Sequence, residues 1–424
     1  MELRTGYKQT EVGVIPEDWE VSPIGDLQPF VTSGSRGWAA FYSDQGAPFI
    51  RITNLIRNSI YLDLVDLRFV NLPTNSSEGE RTQLQDGDVL ISITADIGII
   101  GYVSANVPRP AYINQHIALV RFDSSKSSPK FVSYFLASEK PQKLFRALTD
   151  AGAKAGMNLT TVKQVRLALP PTKAEQEAIA KVLSDTDDLI ESLEQLISKK
   201  RHIKQGAMQE LLTGKRRLPG FSGEWEVRRL GKIGSTFGGL TGKTKSDFGE
   251  GSAQYITFMN IMANVVIDCG RFEKVKISPT ETQNRVIKGD LFFNGSSETP
   301  EEVGLCAYLS EEVYDVFLNS FCFGFRFRNG AEADGLYLAY YFRSSEGREL
   351  LKSLAQGATR YNLSKTALLK VAFPLPCALE QTAIATVLSD MDAEISTLET
   401  KLAKTRQLKQ GMMHNLLTGR IRLI

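Results

Sequence analysis

Cysteine and histidine are the residue types best suited to metal binding and nucleophilic chemistry, and this sequence holds few of either. The cysteines include no Cys-x-x-Cys pair, and they are Cys269, Cys306, Cys322 and Cys377. The histidines are far apart, at His116, His202 and His414. A zinc site needs about four such ligands at short spacings. The spacing therefore disfavours a metal site and a disulfide framework, and it is typical of a protein of the reducing cytoplasm.

Residues 238–244, GGLTGKT, resemble a phosphate-binding loop but lack its first glycine. The motif requires glycine five positions before the glycine that precedes the lysine, and Phe237 stands there. A flexible glycine-rich loop is therefore the better interpretation. Such a loop could still contact DNA phosphates through Lys243 and Lys245.

The sequence lacks the catalytic motifs of several enzyme classes. An adenine methyltransferase would carry an Asn/Asp-Pro-Pro-aromatic loop, whereas Pro170-Pro171 is followed by Thr172. No segment resembles the carboxylate cluster of a nuclease or a Ser/His/Asp triad. The sequence therefore predicts a non-catalytic protein with no cofactor of its own.

Polar and aromatic residues in the loops of each half are the candidates for reading DNA bases. Arginine pairs well with guanine and asparagine with adenine. The candidates of the first half are Ser33, Ser35, Arg36, Trp38, Asn54, Arg57 and Thr94. The candidates of the second half are Lys243, Lys245, Asn260, Asn294, Ser296, Arg360 and Tyr361. Ordinary turn chemistry is the alternative for each, and Asn54 and Asn260 recur in both halves, which leaves a scaffold role open for them.

A local excess of basic residues lies in the middle of a chain whose formal net charge is only +2. Two interpretations stay open for it. The residues form a solvated helix face followed by a linker, or they contact phosphates or a partner subunit. The residues are Lys199, Lys200, Arg201, Lys204, Lys215, Arg216, Arg217, Arg228 and Arg229.

The elements that must position these candidates occur twice. Residues 175–218 and 380–423 align without a gap at an offset of 205, with 25 identities in 44 positions. The preceding segments share shorter matches, which are Trp19-Glu20-Val21 with Trp225-Glu226-Val227, Ile52-Thr53-Asn54-Leu55 with Phe258-Met259-Asn260-Ile261, Gly87-Asp88 with Gly289-Asp290, Asn114 with Asn319, Arg121-Phe122 with Arg326-Phe327, and Asn158-Leu159 with Asn362-Leu363. A duplicated scaffold with different loops would suit one fold that carries two specificities.

Each repeated segment has apolar residues at spacings of three and four, which predicts a long amphipathic helix. Gly214 and Gly419 mark the ends, while Gly206 and Gly411 lie inside, where they would permit close helix approach or mark a bend. About 39 residues at 1.5 Å each give a rod of about 58 Å. Its natural partner is the other copy, in antiparallel orientation. The predicted seam and partner-docking residues are Ile179, Leu183, Ile190, Leu193, Ile384, Leu388, Ile395 and Leu398.

The regions before the helices mix short β-rich runs with helical ones, without regular strand-helix alternation. We expect strands at Val89–Ile93, Ile117–Phe122 and Phe321–Phe327. We expect helices at Phe131–Ala147 and Leu336–Leu354. The predicted fold class is α+β: two pseudo-symmetric α/β domains with small, mostly antiparallel sheets, joined by two long helices that form an antiparallel coiled coil. The predicted divisions are the domains at 1–168 and 219–372, the central helix at 169–218 and the distal helix at 373–424.

A series of short motifs recurs in the same order in both halves. It consists of Trp-Glu-Val, Gly-Asp, Asn-Leu, Leu-Pro-Pro or Phe-Pro-Leu-Pro, Glu-Gln-x-x-Ile-Ala, Leu-Ser-Asp-x-Asp, Lys-Gln-Gly-x-Met and Leu-Leu-Thr-Gly. The series resembles the specificity (S) subunits of type I restriction-modification systems, over nearly the whole chain. One departure is that Pro170 and Pro171 are adjacent whereas Leu375 separates Pro374 from Pro376, which leaves the geometry of the two connectors open.

The resemblance implies that residues 1–168 and 219–372 are target-recognition domains, each reading one half of a bipartite site in double-stranded DNA. It implies that the paired helices act as a ruler and dock two methyltransferase (M) subunits, which bind S-adenosylmethionine. Restriction (R) subunits would join for cleavage. Two readers about 50–60 Å apart would span about 15 base pairs at 3.4 Å per step.

Two other functions stay open on the residues alone. A fused methyltransferase would show cofactor binding by the isolated chain. A protein that uses the helices only to oligomerise would show no DNA preference, with or without a methyltransferase partner. A membrane protein is not expected, because no apolar run approaches the ~20 residues of a membrane-spanning helix.

Overall fold

Two compact units make up the chain in a computed structural model that describes residues 5–73, 76–150 and 157–423. Unit 1 consists of Met1–Glu194 and Lys401–Ile424, and unit 2 of Gln195–Thr400. Each unit therefore holds one globular domain, domain 1 or domain 2, together with a part of each long helix. In the described part of the chain, no helix combines the length and the apolar character that crossing a bilayer requires.

Domain 1 consists of short strands and four helices that precede the first long helix. The strands are β1 (Tyr7–Thr10), β2 (Gly13–Pro16), β3 (Glu20–Pro23), β4 (Phe30–Ser33), β5 (Tyr42–Ser43), β6 (Ala47–Ile50), β7 (Arg68–Val70), β8 (Val89–Ser92), β9 (Ile100–Tyr102), β10 (Tyr112–Ile113), β11 (Ile117–Arg121) and β12 (Arg166–Leu169). The helices are α1 (Ser77–Thr82), α2 (Pro129–Ala137), α3 (Glu139–Asp150), α4 (Leu159–Gln164) and the long α5 (Lys173–Leu211).

The centre of domain 1 is an antiparallel sheet of order β4-β11-β8-β9 that is buried on both faces. Successive side chains of a strand point to opposite faces. Val89 and Ile91 of β8 therefore pack with helix α2, while Leu90 packs with Ile50 and Ile113 of a second, mixed sheet. That sheet has the order β10-β6-β7-β5, and two further pairs, β1-β2 and β12-β3, complete the domain.

Domain 2 repeats this arrangement with different loops. Its strands are β13 (Glu226–Arg229), β14 (Gly234–Gly238), β15 (Phe248–Ile256), β16 (Glu273–Val275), β17 (Leu291–Asn294), β18 (Ser296–Ser297), β19 (Cys306–Tyr308), β20 (Val316–Leu318), β21 (Cys322–Phe327), β22 (Ala355–Gln356), β23 (Tyr361–Leu363) and β24 (Ala372–Leu375). Its helices and the second long helix are α6 (Leu230–Ile233), α7 (Phe258–Ala263), α8 (Gly335–Arg343), α9 (Ser345–Ser353), α10 (Lys365–Lys370) and α11 (Ala378–Leu416).

The central sheet of domain 2 has the order β14-β21-β17-β19, which matches β4-β11-β8-β9 strand for strand. Leu291 and Phe293 pack with α8, while Phe292 packs on the other face with Ile256 and Leu318. Those two residues belong to the sheet β16-β15-β20, in which β15 and β20 are parallel. The α+β fold class with small, mostly antiparallel sheets is confirmed.

One buried ion pair holds the same two strands in each central sheet. In domain 1 the Arg121 guanidinium donates to both carboxylate oxygens of Asp88, at 2.7 Å each. In domain 2 Arg326 donates to Asp290 at 2.8 and 2.7 Å. Burial raises the pKa of both aspartates, and the arginines oppose this effect. The Gly-Asp and Arg-Phe motifs recognised in the sequence are therefore parts of the shared frame.

Two details of the sequence interpretation were wrong. The single helices expected at Phe131–Ala147 and Leu336–Leu354 are each broken into two, α2 with α3 and α8 with α9, because Ser138 and Ser344 adopt extended backbone with ψ near 166°. The apolar periodicity stops at both breaks, in the polar segments 138–143 (SEKPQK) and 343–349 (RSSEGRE), and the sequence interpretation did not use this signal. The alignment of Asn158-Leu159 with Asn362-Leu363 is also off by two residues. Asn158 caps α4, and Ser364 is the residue that caps α10 in the same way.

The two long helices have equal lengths of 39 residues. After each one a glycine takes positive φ, 72° at Gly214 and 66° at Gly419, as a helix-ending glycine does. A Cβ built on Gly206 or Gly411 would meet no atom within 4 Å. Close helix approach is therefore not the reason for those two internal glycines.

Candidate nucleic-acid interface

The loops that carry most of the predicted base readers leave one edge of each central sheet. In domain 1, β4 and β8 end where β11 begins, because Ser33 lies opposite Ala118. Ser92 likewise lies opposite Ile117. In domain 2, β14 and β17 end where β21 begins. We name this edge the loop edge. The predicted readers at or just beyond it are Ser33, Ser35, Arg36 and Thr94 in domain 1 and Lys243, Lys245, Asn294 and Ser296 in domain 2.

The loop after β4 is held by a small core of its own, which leaves Arg36 at the surface. The Trp38 side chain is buried and stacks on Phe49, with 4.7 Å between ring centroids. The Glu78 carboxylate accepts a hydrogen bond from the backbone N–H of Ser35 at 2.9 Å. Trp38 therefore supports the loop, while the side chains of Ser35 and Arg36 are exposed.

Asn54 and Asn260 occupy matching positions and make matching contacts. Both are buried, and the Asn54 amide donates to the carbonyl oxygen of Asp63 at 2.9 Å. The Asn260 amide donates to the carbonyl oxygen of Asp268, also at 2.9 Å. These contacts favour the scaffold alternative for this pair.

Arg57 and Thr94, the other candidates in domain 1, are both engaged by neighbouring side chains. Arg57 forms an ion pair with Asp96 and donates to the amide oxygen of Gln142 at 3.0 Å. The Thr94 hydroxyl lies 2.6 Å from Nδ1 of His116. Thr94 thus lies beside a ring that the sequence interpretation did not include among the readers.

The two lysines of the glycine-rich loop in domain 2 differ in exposure. The Lys243 side chain is 5% exposed and pairs with Glu281, and its ammonium donates to the carbonyl oxygen of Lys276 at 2.6 Å. The hydrogen bond from Lys243 lowers the pKa of Glu281. Lys245 is exposed. Lys243 therefore fixes the loop, and Lys245 is free to contact a ligand.

The remaining candidates of domain 2 meet around a small sheet of order β18-β23-β22. Strand β18 holds Ser296 and pairs with β23, which holds Tyr361. The buried Asn294 amide donates to the carbonyl oxygen of Ser296 at 3.3 Å. The guanidinium of Arg360 lies over the ring of Phe321, 5.6 Å from its centroid. Four predicted readers thus lie in one region, the buried Asn294 and Ser296 with Arg360 and Tyr361, beside a ring that sequence reasoning missed.

Each domain is fastened to both long helices by a set of three polar side chains, a buried tyrosine with a partly buried aspartate and lysine. In unit 1 the Tyr134 hydroxyl of α2 donates to Asp187 of α5 at 2.7 Å, and Asp187 pairs with Lys409 of α11. Burial first, and then Asp187, raises the pKa of Tyr134, so the phenol keeps its proton. The residues that make the same contacts in unit 2 are Tyr340, Asp392 and Lys204.

A buried glutamine fastens each connector between domain and helix. Gln176 accepts from the backbone N–H of Ser128 at 2.9 Å and donates to the carbonyl oxygen of Pro170 at 3.2 Å. The residues of the equivalent contacts in unit 2 are Gln381, Asp334 and Pro376. The two connectors therefore have the same hydrogen bonds despite their different proline spacing.

Further charged identities between the two helical copies form ion pairs that join one copy to the other. Within unit 1, Glu194 pairs with Arg406 and Glu175 with Arg422, so residue numbers fall along one partner as they rise along the other. The equivalent pairs of unit 2 are Glu399 with Arg201 and Glu380 with Arg217. The helices are thus antiparallel in both units. Much of the central basic excess forms ion pairs with carboxylates, most of which lie on the opposite helix.

Sequence reasoning missed these junction residues although a signal was present. Apolar identities between the copies were assigned to a seam, whereas the acidic and amide identities were not interpreted and the basic ones were interpreted only as a helix face or a contact surface. The seam residues Ile179, Leu183, Ile384 and Leu388 pack in the cores of their own units. Ile190 and Leu398 are half-buried, and the other two, Leu193 and Ile395, are buried.

The site offers donors, cations and aromatic rings, which is the chemistry of recognition. Among the described residues, no group of three or more His, Cys, Asp and Glu side chains could hold a metal ion. The loop edges therefore present hydrogen-bonding and stacking groups on a rigid frame.

Comparison with known proteins agrees with this geometry. The family model described as the type I restriction modification DNA specificity domain matches twice, over residues 16–199 and 222–407. The putative type I restriction enzyme MjaX specificity subunit of Methanocaldococcus jannaschii is 26% identical over 438 residues, covering 98% of this chain and 97% of the relative. The MjaVIII specificity subunit of the same organism is 23% identical over 426 residues, covering 96% and 94%.

Solved structures share the fold. The S subunit of a type I restriction-modification system from M. genitalium aligns over 98% of both chains, with a TM-score of 0.58 and 15% identity. A chain from a structure concerned with complex assembly and conformational transition of the type I R-M system aligns over 96% of this chain and 99% of its own length, with a TM-score of 0.57 and 16% identity.

Proposed function

Because the chain belongs to the type I restriction-modification DNA specificity family, we propose that it reads a bipartite site in double-stranded DNA, one half with each domain. The observation that carries this proposal is the pair of loop edges, which have the same frame and different side chains. Base contacts set sequence preference, and they come from loops and elements that a rigid scaffold positions. This chain recognises the DNA sequence, while other subunits carry out methyl transfer and cleavage.

We further propose that α5 and α11 set the spacing of the two half-sites and dock two M subunits. The repeated junctions support this idea, because they couple each domain to both helices through the same residues. S-adenosylmethionine would bind the M subunits and this chain would bind no cofactor. R subunits would join for cleavage, and the complex would work in the cytoplasm.

We propose residues 1–168 and 219–372 as the recognition domains, with the central and distal helices at 169–218 and 373–424. Ser35, Arg36, Lys245 and Arg360 are the stronger contact candidates, because their side chains are exposed near the loop edges. The buried candidates, such as Trp38 and Asn54, would act by holding the loops.

Methylation mapping tests the proposal. Genomic DNA from cells that contain the methyltransferase partner, with and without this chain, should differ by one bipartite motif. That motif should disappear with the chain, because the chain supplies the sequence preference. A methylation pattern that is unchanged by removal of the chain would contradict the proposal.

The helices give a second test. Deleting about one heptad from α5 and the equivalent heptad from α11 shortens both by about 10 Å. The spacer of the methylated motif should then fall by about three base pairs, while the half-sites stay the same. Unchanged spacing in an active complex would refute the ruler.

A further inference from the structure

The turn that enters the central strand has the same backbone geometry in both domains. In domain 1 the Asn114 side-chain oxygen accepts from the backbone N–H of His116 at 3.1 Å. In domain 2 the Asn319 oxygen accepts from that of Phe321 at 2.9 Å. The turns precede β11 and β21 and lie at the loop edges. His116 and Phe321 therefore hold one structural position in two different readers.

Neighbouring backbone fixes both turns in the same way. The carbonyl oxygen of His116 accepts from Ile93 at 2.9 Å, and that of Phe321 accepts from Gly295 at 2.8 Å. A glycine lies against each turn, where a Cβ would come within 2.5 Å of backbone in domain 1 and 2.1 Å in domain 2. A turn held this tightly presents its side chain in a defined direction.

The side chains at this position differ in chemistry. His116 is half-buried, and its two ring nitrogens contact the Thr94 hydroxyl at 2.6 Å and the Gln115 amide at 3.0 Å. Phe321 is 57% exposed and lies under the guanidinium of Arg360. One domain thus presents an oriented polar ring, and the other presents an apolar ring with a cation lying over it.

We propose that this turn is a specificity-determining position, at which the two domains read different bases. The inference rests on the proposed function and refines it to single residues. In domain 2, Arg360 contacts the DNA and Phe321 is the platform that positions it. In domain 1, the polar cluster of His116, Thr94 and Gln115 makes the corresponding contact.

The surroundings of Arg360 favour DNA as its ligand. A guanidinium that lies over a ring keeps its hydrogen-bond donors in its own plane, where they can match guanine or phosphate. In the described part of the chain, no carboxylate forms an ion pair with Arg360, in contrast to Arg326, which also lies over a ring but is bound to Asp290. Arg360 is therefore a cation whose donors are left for a ligand.

The test compares variants of the full chain in its methyltransferase complex by methylation mapping. Arg360→Ala should relax base preference at one position of one half-site by about tenfold, which one good side-chain contact to a base supplies. Phe321→Ala should affect the same position, and Phe321→Tyr should restore it because tyrosine keeps the platform. His116→Phe should change the other half-site alone. Tyr314→Ala is the matched control, since Tyr314 is an aromatic residue of domain 2 that is 88% exposed.

The outcomes distinguish a failure of the proposed function from a failure of the proposal that the turn is a specificity-determining position. No bipartite motif with the unaltered chain would refute the proposed function itself. An unaltered motif in the Arg360→Ala and His116→Phe variants, with the wild-type motif present, would overturn only the inference. If Arg360→Ala abolishes methylation, Arg360→Lys shows whether Arg360 reads a base, because lysine keeps the positive charge and loses the planar N–H donors of the guanidinium. A base preference unchanged by Arg360→Lys would then count against base reading.

Discussion

The junctions between domains and helices differ from the loop edges in how much the two halves of the chain have in common. At the junctions the same residue types make the same contacts twice, as Asp187 and Asp392 do with a tyrosine and a lysine. At the loop edges the backbone is the same and the side chains differ, as His116 and Phe321 show. The comparison indicates that the contacts between a domain and the long helices must be the same in both halves. The side chains at the loop edges, in contrast, differ between the two domains.

The junctions provide the largest expected effect on stability. Asp187→Ala should lower the free energy of unfolding by about 3 kcal/mol, because it leaves the largely buried Lys409 unpaired and removes the acceptor of Tyr134. Asp392→Ala should cost less, about 1–2 kcal/mol, because the Asp392 side chain is 38% exposed against 13% for Asp187. Urea unfolding of the full-length variants measures both.

Asp188→Ala is the control, because this neighbouring carboxylate is exposed on the same helix. It should change the free energy of unfolding by less than about 0.5 kcal/mol. Equal costs for Asp187→Ala and Asp188→Ala would show that the set of three polar side chains does not fasten the domain.

The connector glutamines should have a smaller effect. Gln176→Ala and Gln381→Ala should each cost about 1–2 kcal/mol, because each leaves a buried or partly buried backbone N–H without its acceptor. Thermal unfolding would show this as similar decreases in Tm. Gln410→Ala, at an exposed position of α11, serves as the control. A decrease in Tm for only one of the two variants would show that the two junctions are not equivalent.

The internal glycines of the helices should give the smallest effect, with opposite sign. Gly206→Ala and Gly411→Ala should each stabilise the protein by about 0.5–1 kcal/mol, because alanine favours helix and the added Cβ meets open space. Gly239→Ala is the contrasting variant, since its Cβ would meet the carbonyl oxygen of Asn319. Destabilisation by Gly206→Ala would indicate that flexibility or a bend is needed there.

The sequence was sufficient for the features that repetition encodes. Its 25 identities predicted two long helices that pair antiparallel, and the Gly-Asp and Arg-Phe matches belong to the ion pairs of the frame. Several of the candidate readers also lie at the loop edge, because loop residues at matching positions of the two halves were compared; their role as readers stays a prediction.

The sequence was insufficient where partners are set by packing. Trp38 in a polar loop resembles a base reader, yet it fills a small core with Phe49. The sequence could not show which polar residue of one helix pairs with which residue of the other, because neither helix sequence alone determines the register between the two. Each of these features depends on atoms distant in the chain.

Exchange of one domain tests the central claim most directly. Residues 219–372 are replaced with the matching region of a relative that has a different site, and the methylated motif is mapped in the presence of the partner subunits. The account predicts that one half-site changes to that of the relative, while the other half-site and the spacer stay the same. A change in both half-sites, or in neither, would contradict the claim that each domain reads its own half.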